Sequence, residues 1–288
     1  MIKGSTKVVA LIGDPVEKSL SPPIHNEAFR SLKLDYVYVA FRVPRELLPK
    51  AVEAVKTLGI AGLNVTIPHK IAIVSLLDAL DRSASLVGAV NTVKNDGGKL
   101  VGYNTDGIGA LKVLEERVGN LTGKRVLLLG AGGAARAISF ALAEKGVSFT
   151  IANRTIGRAK ELAVDLERKL GVRPKVIGIK PWMLSQALKE TDILINATAV
   201  GMYPRIKETL VTGKMMHPNL IVFDIVYQPL YTRLLREARE IGAKVITGLE
   251  MLVNQAALSF EIWTGKQAPV ELMRHVAWRL ARGWRFSL

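Results

Sequence analysis

Lys70 has the side chain and the position expected of a proton donor or acceptor. It closes the segment Asn64-Val65-Thr66-Ile67-Pro68-His69-Lys70, which continues an apolar, strand-like stretch and contains a proline suited to the first turn of a helix. The dipole at a helix start lowers the pKa of an amine, and an acid–base group working near neutral pH needs such a lowering. His69 is the rival candidate, because histidine is the commoner acid–base residue.

Asp106 is a candidate partner for Lys70. It lies in Tyr103-Asn104-Thr105-Asp106-Gly107, just before a predicted helix, and this position allows two roles. Asp106 either caps that helix or presents a carboxylate to the lysine, where it would orient the ammonium group and bind a substrate hydroxyl. Spacing alone does not choose between these roles.

Ser19 and Ser21 offer two hydroxyls after the first predicted strand, next to a helix that begins around Pro22. Two hydroxyls at a helix N-terminus suit a carboxylate ligand, because both can donate and the dipole favours negative charge. The alternative is ordinary capping, since serine before proline is a common helix start.

A glycine turn between two apolar strands predicts a dinucleotide site. The strand RVLLLG leads into a turn with Gly130, Gly132 and Ala135, then a helix-like stretch up to Lys145 and the strand SFTIAN. Gly130 permits the sharp turn, Gly132 lets the backbone approach a pyrophosphate, and Ala135 lets the helix pack close to the sheet. N–H groups at the helix start would bind the phosphates.

The residues after SFTIAN favour NADP over NAD. An NAD site usually has an acidic residue here, which binds the ribose 2′-hydroxyl, whereas this chain has Asn153-Arg154-Thr155 and, one turn later, Arg158. Guanidinium groups bind a 2′-phosphate that a carboxylate would repel. The alternative is that both arginines belong to a solvated helix face.

The composition indicates a globular protein and excludes several kinds of site. The chain has 288 residues, 49% hydrophobic and 23% charged, which is enough for two domains. It has no cysteine, which excludes disulfides and thiolate catalysis, and its four histidines are scattered, so we expect no metal. Without a membrane-length apolar run or a signal peptide, the protein is expected to be cytoplasmic.

The net charge of +15 is compatible with nucleic acid, a membrane surface or anionic small molecules as partners. The basic residues are spread along the chain without a nucleic-acid motif, so we expect neither nucleic acid nor membrane. The densest basic stretch, with Arg274, Arg279, Arg282 and Arg285, is interpreted as a helix packed on the protein with a basic outer face. The assembly is expected to be a monomer or a homodimer.

Strand-like and helix-like segments alternate, which predicts an α/β fold. Strands are predicted at 7–13, 36–43, 60–68, 89–95, 99–104, 125–130, 148–153, 175–179, 192–198, 220–226 and 244–247, and helices at 22–33, 45–58, 70–80, after Asp106 and over 249–265. We expect two α/β domains, residues 1–106 with 250–288 and residues 107–249. The second would be a doubly wound parallel sheet of the Rossmann type, with the active-site cleft between the domains.

Seven motifs, in this order, resemble those of the shikimate dehydrogenases. They are GxPxxxSxSPxxHN, NVTxPxK, GAVNT, NTDG, GAGGAxR, NRT and GxxMLxxQA, and they extend from residue 13 to about residue 265. That family reduces 3-dehydroshikimate with NADPH, on the route to aromatic amino acids, and has two α/β lobes. The resemblance implies the same activity here. A quinate/shikimate dehydrogenase using NAD is the alternative, and the missing acidic residue argues against it.

The resemblance also implies roles for individual residues. The substrate would be bound by Ser19, Ser21, Thr66, Asn91, Asp106, Tyr227 and Gln255, with Lys70 transferring the proton. NADP would be bound by Gly130, Ala131, Gly132, Gly133, Ala134, Asn153, Arg154, Thr155, Arg158, Thr198, Ile225 and Gly248.

Some of these residues have simpler interpretations when taken alone. Tyr227 fits a packed aromatic, Gln255 a helix-surface amide and Asn91 a turn former. His69 falls in an unspecified position of its motif, which favours Lys70 as the proton-transferring group. Arg82 departs from the family, since many members have an acidic residue near the cofactor at this position.

Overall fold

The computed structural model describes residues 2–283 of the chain, which form two compact units. The first unit contains residues 2–109 and 253–280. The second contains residues 110–252 and the end of the last helix, from Ala281.

Each unit is built on a six-stranded sheet. The strands are β1 (Lys7–Gly13), β2 (Tyr36–Arg42), β3 (Gly62–Val65), β4 (Ala79–Leu80), β5 (Thr92–Asp96), β6 (Lys99–Tyr103), β7 (Arg125–Leu129), β8 (Ser148–Ala152), β9 (Lys175–Ile177), β10 (Ile193–Asn196), β11 (Ile221–Asp224) and β12 (Lys244–Thr247). The α-helices are α1 (Ser21–Ser31), α2 (Leu48–Thr57), α3 (Arg82–Val87), α4 (Asp106–Val118), α5 (Gly133–Ala143), α6 (Ile156–Leu170), α7 (Pro181–Leu188), α8 (Arg233–Glu240), α9 (Gly248–Thr264) and α10 (Val270–Gly283).

The sheet of the first unit is mixed and has the order β2-β1-β3-β5-β6-β4. β1 is parallel to β2 and β3, whereas β5 is antiparallel to β3 and β6. Gly97 and Gly98, both with positive φ, make the tight turn from β5 to β6, as a short antiparallel hairpin requires. This turn returns the chain so that the start of β5 and the end of β6 are neighbours.

The sheet of the second unit is entirely parallel, with the order β12-β11-β10-β7-β8-β9. This is the doubly wound order predicted from the glycine turn, and it reverses between β7 and β10. Leu127, Leu129, Leu194 and Val222 are buried in one of its cores, as expected for strands covered by helices on both faces. Ligands of such sheets bind beyond the carboxyl ends of the strands, at the reversal point.

The prediction of a helix at 70–80 is wrong. Residues 70–71 form a turn, followed by a 3-10 helix at Ala72–Leu76 and the short strand β4. Asp78 explains the difference, because its carboxylate accepts a hydrogen bond from the Leu100 N–H at 2.7 Å and its own N–H donates to the Leu100 carbonyl. These bonds hold the segment against β6. The argument from a helix dipole at Lys70 therefore does not apply.

The basic helix at the end of the described chain packs on the protein, as predicted. In α10, Met273, Val276 and Ala277 are buried, while Arg279 and Arg282 are exposed. Arg285 lies outside the described residues. Among the helices within residues 2–283, none has the length and apolar character needed to cross a membrane.

Candidate active site

Backbone hydrogen bonds bring the predicted polar clusters of the first unit together. The Val90 N–H donates to the Lys70 carbonyl at 2.7 Å, and the Val65 N–H donates to the Asn91 carbonyl at 2.9 Å. The Asn91 N–H in turn donates to the Tyr103 carbonyl at 3.1 Å. The turn after β3, the entry to β5 and the end of β6 are thus joined at one edge of the sheet.

The side chains of Lys70 and Asp106 meet at this edge. The Lys70 ammonium group donates to Oδ2 of Asp106, and the two side chains are only 17% and 5% exposed. The other carboxylate oxygen, Oδ1, accepts from Asn91 Nδ2 at 3.1 Å. A lysine paired with an oriented carboxylate, where little water reaches it, has the geometry required for proton transfer to a bound substrate.

Asn104, rather than Asp106, caps the helix that follows. Its Oδ1 accepts from the Gly107 N–H at 3.3 Å, which satisfies one of the N–H groups left free at the start of α4. Asp106 is the first residue of α4, but its carboxylate is directed to Lys70 and Asn91. Of the two roles open from the sequence, the structure favours the carboxylate facing the lysine.

His69 is directed away from solvent. Its ring is fully buried and Nε2 lies 2.7 Å from the Val43 carbonyl, so Nε2 carries the proton and donates it. Through this hydrogen bond, the buried ring connects the turn at Lys70 to the segment after β2. The geometry therefore favours Lys70 over His69 as the acid–base group.

Gln255 and Thr66 lie beside the same cluster. Oε1 of Gln255 lies 3.2 Å from Asn91 Nδ2, and the backbone of α9 at Gln255 packs so closely on Gly109 that a Cβ there would lie 2.9 Å from the Gln255 nitrogen. Thr66 follows β3, and its N–H donates to the Ile12 carbonyl at 2.9 Å. Gln255 is therefore at the edge where Lys70 and Asp106 meet, whereas Thr66 lies next to it with its methyl group against Gly13.

The two predicted serines are held next to each other at the start of α1. Ser19 Oγ accepts from the Ser21 N–H at 3.2 Å, but Ser21 is the first residue of α1 and the N-cap position, Leu20, has no side-chain cap, so the serine before proline does not cap the helix. A hydroxyl that accepts one bond can still donate its own hydrogen, so the bond to Ser21 and carboxylate binding are compatible for Ser19.

Tyr227 belongs to the second unit, just after β11, and is half-buried. The path of this segment is set by Asp224, whose carboxylate accepts from Thr232 Oγ1 at 2.6 Å, Asn196 Nδ2 at 2.9 Å and the Val226 N–H at 3.0 Å. Burial raises the pKa of Asp224 to about 7, against the lowering effect of these bonds. This network was not predicted, although the polar residues inside the strands DILINAT and LIVFDIV are a signal for it.

The glycine turn of the second unit has the predicted geometry. Gly130 has a φ of +113°, and a Cβ there would lie 2.9 Å from the Ala197 carbonyl oxygen, so glycine is required. A Cβ built on Gly132 would meet no atom of the described residues within 4 Å, and Ala135 is fully buried against its surroundings. Helix α5 begins at Gly133, and its first N–H groups point beyond the start of the helix rather than bonding within it. This arrangement fits a pyrophosphate.

The other predicted nucleotide residues lie at the same ends of the parallel strands. The Gly130 N–H donates to the Ala152 carbonyl at 2.8 Å, which places Asn153 close by, and the exposed Arg154 and Arg158 follow around the start of α6. Nδ2 of Asn153 donates to the Thr155 carbonyl at 2.8 Å. Two exposed guanidinium groups, with no acidic residue at the position where an NAD site usually has one, suit a 2′-phosphate.

Thr198, Ile225 and Gly248 extend this edge across the neighbouring strands. The Thr198 methyl group lies 3.1 Å from where a Cβ of Gly130 would be, and Gly248 packs on the backbone of Ile225 without room for a side chain. Ala131 and Ala134 lie in the turn and in the first turn of α5. Arg82 is the exposed first residue of α3 in the first unit.

The chain matches three family models along its length. The substrate-binding domain of shikimate dehydrogenase matches residues 11–93, the shikimate/quinate 5-dehydrogenase model residues 112–228, and the C-terminal domain of shikimate 5′-dehydrogenase residues 248–277. Shikimate dehydrogenase (NADP(+)) of Methanopyrus kandleri is 53% identical over 276 residues, which is 95% of each chain.

Solved structures show the same relationship. A crystal structure of a shikimate dehydrogenase in complex with NADP+ is 46% identical, with a TM-score of 0.92 over 98% of both chains. Shikimate 5-dehydrogenase of Thermus thermophilus, in complex with NADP(H) and shikimate, is 39% identical, with a TM-score of 0.84 over 95% of this chain and 99% of that chain. The chain therefore belongs to the shikimate dehydrogenase family.

Proposed function

We propose that this protein catalyses the reversible reduction of 3-dehydroshikimate to shikimate with NADPH, in the biosynthesis of aromatic amino acids. The observation that carries the proposal is the partly buried Lys70–Asp106 pair, whose carboxylate also accepts from Asn91, in a chain of this family. Proton transfer by a positioned side chain is what a carbonyl reduction needs from the protein.

Lys70 donates a proton to the substrate oxygen as the ketone becomes an alcohol, and takes it back in the reverse direction. Asp106 holds the ammonium group and binds the neighbouring ring hydroxyl, while Thr66, Asn91 and Gln255 bind the other ring hydroxyls. The substrate carboxylate is bound by Ser19, Ser21 and Tyr227. NADPH, when bound, supplies the hydride to the carbonyl carbon.

The second unit holds the cofactor through backbone and charge. The turn from Gly130 to Ala134 and the first-turn N–H groups of α5 bind the pyrophosphate. Asn153, Thr155, Arg154 and Arg158 bind the adenosine end with its 2′-phosphate. Thr198, Ile225 and Gly248 line the nicotinamide end.

The test is a spectrophotometric assay of nucleotide reduction, with shikimate or quinate as the substrate and NADP or NAD as the cofactor. The expected result is that shikimate with NADP has the highest kcat/KM of the four combinations. A higher value for quinate with NAD would instead support the quinate/shikimate alternative. Without activity on either acid, the proposal fails.

We further propose a cytoplasmic location and an assembly no larger than a homodimer, as expected from the sequence. Light scattering on the purified protein measures the assembly directly. A mass well above twice 31.4 kDa would contradict it.

A further inference from the structure

A cluster of hydroxyl groups lies directly behind the acid–base pair. Thr92, Thr105 and Ser259 come from β5, the residue before α4, and α9, and all three are buried. The Oγ atoms of Thr92 and Ser259 are 2.7 Å apart, and those of Thr105 and Ser259 are 3.3 Å apart. Ser259 is therefore the shared partner of both threonines.

The directions of these hydrogen bonds follow from counting hydrogens. The Ser259 hydroxyl donates to the Gln255 carbonyl at 3.0 Å, so its one hydrogen is used and it must accept from Thr92. Thr105 Oγ1 accepts from Asn91 Nδ2 at 2.7 Å, which leaves its own hydrogen for Ser259. The serine oxygen accepts from both threonines, and Asn64 Nδ2, 3.1 Å away, is a further donor directed at it.

Asn91 is oriented by the same cluster. Its Oδ1 accepts from the Thr105 N–H at 2.7 Å, so its Nδ2 faces Thr105 Oγ1 and the carboxylate of Asp106. If Thr105 lost its acceptor, its hydroxyl could rotate and cease to accept from Asn91. The donor to Asp106 would then be less firmly placed.

A second amide supports the cluster from the other side. The Tyr38 hydroxyl donates to Asn64 Oδ1 at 2.8 Å, which directs Asn64 Nδ2 towards Thr92 Oγ1 at 3.1 Å. Tyr38 and Asn64 are both buried. A continuous, buried set of hydrogen bonds thus extends from Tyr38 to Asp106, with Ser259 at its centre.

We infer that Ser259 is a positioning residue for the acid–base pair: its oxygen holds Thr92 and Thr105, and through Thr105 it keeps Asn91 donating to Asp106. The inference rests on the proposed function and adds a residue that belongs to none of the seven motifs. Its role is to keep the carboxylate aligned with Lys70 during proton transfer, which affects kcat rather than cofactor binding.

The first test is Ser259→Ala, which removes the hydroxyl and almost no volume. We expect kcat with shikimate to fall about five- to tenfold, the effect of one lost buried hydrogen bond in the transition state, while KM for NADP stays within about twofold. Thr264→Val is the matched control. Its hydroxyl donates to the Phe260 carbonyl at 2.8 Å, the same bond four residues back on the same helix, but outside the cluster.

A second pair of variants covers the case in which Ser259→Ala folds poorly. Thr92→Val keeps the shape and removes the hydroxyl, whereas Thr92→Ser keeps the hydroxyl. We expect the valine variant to lose kcat about as much as Ser259→Ala, and the serine variant to recover most of it. Because both losses break the same bond, the double variant should be no slower than the slower single one, within about twofold.

The outcomes separate the inference from the proposed function. A wild-type protein without shikimate activity refutes the proposed function. A fully active wild type whose Ser259→Ala variant matches Thr264→Val in kcat overturns the inference alone. A crystal structure of Ser259→Ala gives a readout independent of activity: an unchanged Thr105 hydroxyl and an unchanged Asn91–Asp106 bond would also overturn it.

Discussion

The acid–base cluster of the first unit and the nucleotide segment of the second are built from different parts of the chain. In the first, buried and partly buried side chains bond to one another: Lys70 to Asp106, and Asp106 to Asn91. In the second, the defining features are a backbone turn at Gly130 and the exposed side chains of Arg154 and Arg158.

The difference follows from what each region does: the first transfers a proton, and the second binds phosphates. Proton transfer needs particular side-chain atoms within hydrogen-bonding distance of the reacting group, so each atom is held by others. Phosphates are large and charged and are bound by backbone N–H groups and flexible cations. Substitutions in the first region should therefore change kcat, and those in the second should change cofactor affinity.

The largest effect is expected for Lys70→Ala. Without the group that transfers the proton, kcat should fall about 10²–10⁴-fold with only a modest change in KM. Steady-state kinetics with shikimate and NADP measure both constants. Lys50→Ala, at an exposed lysine of α2, is the control and should behave as the wild type. A Lys70→Ala enzyme with near-normal kcat would contradict the assignment.

Gly130→Ala tests whether the nucleotide segment depends on backbone shape. Alanine is strained at the positive φ of this position and its Cβ would approach the Ala197 carbonyl, so we expect a loss of about 1–3 kcal/mol in stability and a higher KM for NADP. Thermal unfolding and kinetics measure the two effects. Gly119→Ala, also at a positive φ, meets no atom of residues 2–283 within 4 Å and should lose stability without changing KM. If both variants leave KM unchanged, the turn does not contact the cofactor.

His25→Phe extends the comparison to a buried titratable group of the first unit. His25 stacks on Tyr38 with ring centroids 4.6 Å apart, and burial lowers its pKa to about 3. Below about pH 6.5 the unfolded chain binds a proton that the folded chain does not, so this histidine makes stability fall as pH decreases from 6.5 towards 3. Between pH 7.5 and 5 the loss is about 2 kcal/mol.

Urea unfolding of the wild type and of His25→Phe at pH 7.5 and pH 5 measures this loss. We expect the stability difference between the two proteins to shift in favour of the variant at pH 5, because the phenylalanine cannot bind a proton. His217→Phe is the control, since that ring is only partly buried. Equal losses in the wild type and His25→Phe would show that other groups cause the acid sensitivity.

Of these four sets of substitutions, Arg154→Ala and Arg158→Ala are expected to have the smallest effect. Each removes one flexible cation from a 2′-phosphate, so KM for NADP should rise about tenfold while KM for NAD and kcat change little. Lys189→Ala, at an exposed position after α7, controls for the general loss of positive charge. A parallel rise in KM for NAD would mean that the arginines do not recognise the 2′-phosphate.

Much of the second unit was predictable because its signals are local. The glycine spacing at 130–135 and the apolar strands on either side predicted the turn and the doubly wound order, and the structure confirms both. The prediction of a helix at 70–80 was wrong because the structure of that segment depends on contacts that are not local. Its apolar spacing suits a helix, but the bonds between Asp78 and Leu100, distant in sequence, hold it against β6.

The sequence by itself determined the chemical types available, the glycine turn, the missing acidic residue and the ordered motifs of the family. Only the tertiary structure decided that Asn104 caps α4 while Asp106 meets Lys70, that His69 is closed off against Val43, and that Ser259 joins the hydroxyl cluster. Local patterns report backbone preferences within a few residues. The partner of a buried polar side chain depends on which distant segments pack beside it.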